Sequence, residues 1–174
     1  MTVKKVRLDY DYSEWLGPGY KEKQELPAKA GTLIVAPHTC WMDTIVPGGI
    51  YRPAFCVKAE GEKVPVLYGI LLGMQAFYID RTSGDAAVKA ITAKQEAIEK
   101  DPRHPPILVM PEGTQGNGKF MLPFKRGAFE SLTAVTPIVL DFKGTKQMGP
   151  TWECLGFIEQ IILICSHGYY SVTL

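Results

Sequence analysis

At 174 residues with 46% hydrophobic content, the chain can build one globular domain whose core needs neither metal nor disulfide staples. Its 19 basic and 18 acidic residues leave a formal net charge of +1. With aromatic residues scattered and no basic stripe, that balance speaks against a nucleic-acid partner.

Residues 1 to about 30 read as an extended, polar lead-in punctuated by Gly17-Pro18-Gly19 and Pro27, with the domain proper running from 31 to 174. Thr32-Leu-Ile-Val-Ala36 is a buried-strand pattern stopped at Pro37, and a helix is expected from about Asp43. Ala54 to Lys58 is a second strand, Val64 to Leu72 a short apolar helix, and Ala76 to Ile79 a third strand. Ser83 is a good N-cap for a helix over Gly84 to Lys100, where Val88, Ile91 and Ile98 share one face and Asp101-Pro102 ends it. Pro106 to Met110 is the next strand, Arg126 to Ala134 a helix, and Pro137 to Asp141 another strand. Glu153 to Ile164 reads as an apolar helix and Tyr169 to Leu174 as a last strand. Such alternation predicts an α/β fold, a mainly parallel β-sheet flanked by helices.

Cys40, Cys56, Cys154 and Cys165 form neither a C-x-x-C pair nor a disulfide framework, so free thiols in a reducing compartment are expected. No stretch reaches the roughly 18 apolar residues that a bilayer span needs. The nearest, Val64 to Ile79 and Leu155 to Cys165, are interrupted or short. Leu155, Phe157, Ile158, Ile161, Ile162 and Ile164 cover too much of a helix for a single core-facing stripe. That helix is either buried all round or laid on a membrane surface.

His38 precedes Asp43 by five residues, which on one continuous helix would turn the two side chains about 140° apart. They meet only if His38 lies in the turn after the strand and Asp43 in the first helical turn. A carboxylate on one imidazole nitrogen fixes the tautomer and leaves the other nitrogen to take a proton from a hydroxyl. The spacing alone is a weak signal, since a buried His bonded to a nearby acid is a common structural pair.

Three more segments follow in order: Gly73-Met-Gln-Ala-Phe77-Tyr-Ile-Asp-Arg81, Met110-Pro111-Glu112-Gly113-Thr114 with Phe124-Lys-Arg-Gly-Ala-Phe129, and Val135-Thr-Pro137-Ile-Val139. Arg81 beside a turn can clamp a phosphate or pair with Asp80 or Asp85. Glu112-Gly113-Thr114 follows a buried strand, at the sheet edge where open α/β folds place ligands, or is simply a strand-ending turn. Lys125 and Arg126 either offset phosphate charge or form a solvated basic pair.

The order and spacing of these blocks, over about residues 32 to 140, resemble the glycerolipid and lysophospholipid acyltransferases. That resemblance implies His38 and Asp43 as the catalytic pair. It also implies Arg81, Glu112, Gly113 and Thr114 as seats for the acceptor's glycerol-phosphate region. The implied reaction is direct transfer from acyl-coenzyme A, a co-substrate rather than a bound cofactor, to a lysophospholipid hydroxyl. No metal and no covalent acyl-enzyme are expected. Ala36-Pro37, Lys58-Ala-Glu60, Gln115-Gly-Asn117-Gly and Thr151-Trp152 look most like the lysophosphatidylcholine acyltransferase branch. An intracellular membrane surface is then expected as a partner, that of the endoplasmic reticulum by resemblance, with the mitochondrial membrane as an alternative. Branch members carry an N-terminal anchor and further C-terminal sequence, so the chain reads as a shortened form, a fragment, or a subunit held in a larger membrane complex. In that last case it is an acyltransferase-derived structural or lipid-binding subunit.

Overall fold

Short runs of β-branched and aliphatic residues, separated by helices, fold here as parallel strands buried on both faces. The computed structural model describes residues 2–4, 13–17, 31–58, 65–79, 84–144, 157–166 and 170–173. In chain order these are β1 (Thr2–Lys4), α1 (Ser13–Leu16), β2 (Thr32–Val35), α2 (Met42–Tyr51), β3 (Ala54–Lys58), α3 (Pro65–Gly73) and β4 (Phe77–Ile79). They continue with α4 (Gly84–Lys100), β5 (Ile107–Val109), a 3-10 turn (Arg126–Ala128), β6 (Val135–Ile138), β7 (Asp141–Gly144), α5 (Phe157–Ser166) and β8 (Tyr170–Thr173).

The main sheet has five strands in the order β4-β3-β5-β2-β6, all parallel. The expected α/β fold is therefore present. Because side chains alternate across a strand, each strand feeds two cores. Ile34, Ala54, Ile107 and Val109 pack with Ile91 and Ile98 of α4 on one face. Leu33, Val35, Phe55 and Leu108 pack with Val46 of α2 on the other. Burying one such side chain stabilises the fold by about 1.5–3 kcal/mol relative to leaving it exposed. Gly48 lets α2 cross close to the sheet, since a Cβ there would stand 2.9 Å from Phe55 Cζ. A second sheet has the order β1-β8-β7, with β1 parallel and β7 antiparallel to β8.

Three expectations differ: within the lead-in expected to be extended, Ser13–Leu16 is the short helix α1 and Thr2–Lys4 is a strand paired with β8. The helix predicted over Arg126 to Ala134 is a single 3-10 turn. Its Ala128 carbonyl accepts Gln95 Nε2–H from α4 at 3.0 Å, and Leu132 takes a left-handed φ of 54°. The strand predicted over Pro137 to Asp141 is two strands. β6 starts earlier, at Val135, and pairs with β2 at the sheet edge, where Pro137 is tolerated because no outer neighbour needs its N–H. The chain then leaves this sheet after Ile138 and enters the other at Asp141. Ser83, Cys154, Leu155 and Thr151-Trp152 lie outside the described residues.

Candidate active site

β2 and β5 are neighbours with Ile34 opposite Val109, so the segments following them leave the carboxyl edge of the sheet side by side. After β2 comes a cis Ala36–Pro37 bond and then His38. After β5 comes Met110-Pro111-Glu112. The two segments are stitched together. His38 N–H donates to Glu112 Oε1 at 3.2 Å, and Gly116 N–H donates to the His38 carbonyl at 2.8 Å.

Asp43 is the second residue of α2 and is fully buried. Its Oδ2 accepts His38 Nδ1–H at 3.0 Å, Cys40 N–H at 2.9 Å and Thr39 N–H. The backbone donors compensate the desolvation of the carboxylate and fix where it points. The strand-turn-helix layout thus joins two residues that a continuous helix would separate. Since a carboxylate only accepts, Nδ1 carries the imidazole proton and Nε2 keeps a lone pair with no hydrogen bond to the described residues.

Cys40 is next to this pair but chemically quiet. Burial, with the charge of Asp43 adding to it, pushes its thiol up to about 12. It stays protonated and is not a nucleophile at neutral pH.

His38 lines a cavity of about 450 Å³ whose walls are mostly apolar, formed by Cys56, Ile79, Val88, Ile91, Val109 and Ala128. The polar residues at its rim include Asp85, Lys125 and Arg126. An imidazole at the wall of an apolar pocket of this size is the arrangement expected of a site for a small amphiphile. The arrangement supplies a proton acceptor, an orienting acid and a mostly apolar pocket.

The other expected site residues fall in different places. Glu112 is buried at 3% exposure, with Oε1 on the His38 N–H and Oε2 without a hydrogen-bond partner among the described residues. Gly113 lines the cavity and takes φ +72°, a conformation that favours glycine. Thr114 is exposed and is not among the residues lining the cavity. Arg81 lies outside the described residues. The basic pair is split. Both stand at the cavity rim, but Arg126 bonds Asp85 on α4, with both side chains largely exposed, whereas Lys125 lies over Gly113.

Sequence reasoning missed the apolar lining, which comes from three strands, α4 and the 3-10 turn, and the seam between Gly116 and His38. Only the spacing of Val88 and Ile91 on one helical face carried any signal of the lining. Among the described residues no group of three or more His, Cys, Asp or Glu stands ready to hold a metal ion. Among those residues, too, no helix is long and apolar enough to cross a membrane.

An all-parallel α/β sheet with a His–Asp pair at its carboxyl edge, joined to a Pro-Glu-Gly turn, fits the Acyltransferase family model, which matches residues 19–140. The chain belongs to that family. It is similar to lysophospholipid acyltransferase LPCAT4 of Xenopus tropicalis, 28% identical over 146 residues. It is also similar to human lysophosphatidylcholine acyltransferase 1, 27% identical over 151 residues; each alignment covers 83% of this chain and 28% of the relative. The lysophosphatidylcholine acyltransferase of Drosophila melanogaster is 24% identical over 170 residues, 97% of this chain and 32% of its own. The chain thus spans about a third or less of the length of these relatives. No solved structure matches it.

Proposed function

We propose that the protein transfers an acyl chain from acyl-coenzyme A to the hydroxyl of a lysophospholipid, with a lysophosphatidylcholine-type acceptor favoured. The observation that carries this reading is His38, held at Nδ1 by buried Asp43 while lining an apolar cavity. His38 Nε2 takes the proton of the acceptor hydroxyl as its oxygen attacks the thioester carbonyl. The tetrahedral intermediate collapses with loss of the coenzyme A sulfur, and the imidazolium returns the proton to that thiolate. Asp43 orients the ring and stabilises the imidazolium. Glu112 Oε2, buried and without a partner among the described residues, is a natural acceptor for a hydroxyl on the glycerol of the substrate. Gly113 allows close backbone approach, and Thr114 and Arg81 complete the acceptor seat in this proposal.

The apolar walls suit the acyl chain, and the names of the relatives favour the choline-bearing acceptor. Phe120, Met121 and Phe124, exposed at 78%, 58% and 44%, follow the turn that touches His38 and mark the side presented to a lipid surface.

The test is transfer of radiolabelled acyl chains from acyl-coenzyme A to a panel of lysophospholipids presented in lipid. The native chain is expected to form product, and His38→Ala to lose about 10² to 10⁴ in rate. Folded native protein that acylates no acceptor would overturn the reading and favour a non-catalytic lipid-binding role.

A further inference from the structure

Lys125 is exposed, but its side chain lies along Gly113. Its backbone N–H is anchored on the Pro111 carbonyl at 2.8 Å, directly before the Glu-Gly-Thr turn. Its stem is folded over Gly113. A Cβ at 113 would stand 2.8 Å from Lys125 Nζ, 2.9 Å from Cε and 3.1 Å from Cδ. Glycine at that position therefore serves two ends, the left-handed turn and the space through which the lysine reaches the cavity that His38 lines. Among the described residues Lys125 has no carboxylate within ion-pair distance. Glu112 is turned to the His38 N–H, and Asp85 is occupied by Arg126.

We infer that Lys125 is the cation of a phosphate subsite at the rim of the cavity. An ammonium on the cavity that His38 lines, with no carboxylate partner among the described residues, suits a phosphate as a point charge. The inference rests on the acyl-transfer reading of the same cavity and adds a substrate contact to it. Phosphate is present in both proposed substrates, in the lysophospholipid headgroup and in coenzyme A.

Binding rather than turnover separates these sources, so the test holds even for protein that makes no product. Calorimetric Kd values are compared for coenzyme A against pantetheine, and for lysophosphatidylcholine against monoacylglycerol. The native protein is expected to prefer the phosphate-bearing member of at least one pair. Lys125→Met should shrink one of those preferences by about 10- to 100-fold, the loss of one charge-assisted hydrogen bond, and leave the other within about twofold. The pair that responds names the source. Lys125→Arg should keep most of the preference, and Gly113→Ala, by displacing the lysine, should lose it with Lys125 intact. Circular dichroism checks that each variant is folded. No phosphate preference in the native protein, or equal losses with all four ligands in Lys125→Met, would overturn the inference.

Discussion

At the scale of single residues, the site depends on what each buried polar group is given as a partner. Asp43 is fully buried but receives two backbone N–H groups and the imidazole, so its position is fixed before any substrate arrives. Cys40 shares that environment with the opposite consequence. Its thiol is shifted from 9.0 to about 12, so between these values the unfolded chain loses a proton that the folded chain keeps. Stability contributed by the protonated thiol is full below pH 9 and is lost as pH rises toward 12, with a slope of about 1.4 kcal/mol per pH unit. Urea denaturation at pH 8 to 11 is expected to show a shallower alkaline decline for Cys40→Ala than for the native chain. Parallel declines would place the alkaline sensitivity in other groups.

At the scale of elements, α4 does two jobs with one face. Ile91 and Ile98 fill the core beneath the sheet, while Val88 and Ile91 wall the cavity. The same face meets the 3-10 turn, where a Cβ on Gly127 would stand 3.1 Å from Ile91 Cδ1. Cavity length and core packing are therefore coupled through this helix. If the cavity houses the acyl chain, Val88→Phe should shift donor preference toward shorter chains, measured as the kcat/KM ratio for a short against a long acyl-coenzyme A. Val88 is only partly buried, so the variant should remain folded. An unchanged ratio would place the chain elsewhere.

At the scale of the whole molecule, a net charge of +1 gives little long-range pull toward anionic lipid. If the chain acts on lipid as proposed, its membrane contact is expected to come mainly from apolar surface. The exposed Phe120, Met121 and Phe124 precede Lys125 in the chain, and docking through them is the proposed route by which His38 meets lipid-borne acceptor. A Phe120→Ser/Met121→Ser double variant should bind phosphatidylcholine vesicles at least about tenfold more weakly in sedimentation, with little dependence on salt. Binding abolished by salt but untouched by the double variant would point to basic residues instead.

Much of the fold was legible in the sequence. The bounds of β3 and α4 follow from apolar periodicity and from Asp101-Pro102, because those signals are local. The residues that the structure gathers at the candidate site were also legible, since His38, Asp43, Glu112 and Gly113 fall in short blocks with a recognisable order. Their relation was not. Thr39 and Cys40 N–H groups converge on Asp43 through the local turn into α2, whereas Gly116 and Glu112 close on His38 because β2 and β5 run parallel in register and deliver their following segments side by side. The end of the expected helix after Arg126 was likewise set by Gln95, whose side chain takes the Ala128 carbonyl from another element. The division between Lys125 and Arg126 is of the same kind. As neighbours in sequence they are equivalent cations, but the tertiary structure gives one Asp85 and brings the other over Gly113. Local chemistry thus determined which elements and reactive side chains the protein has. Non-local hydrogen bonds and packing, which a single sequence does not display, decided which of those side chains meet.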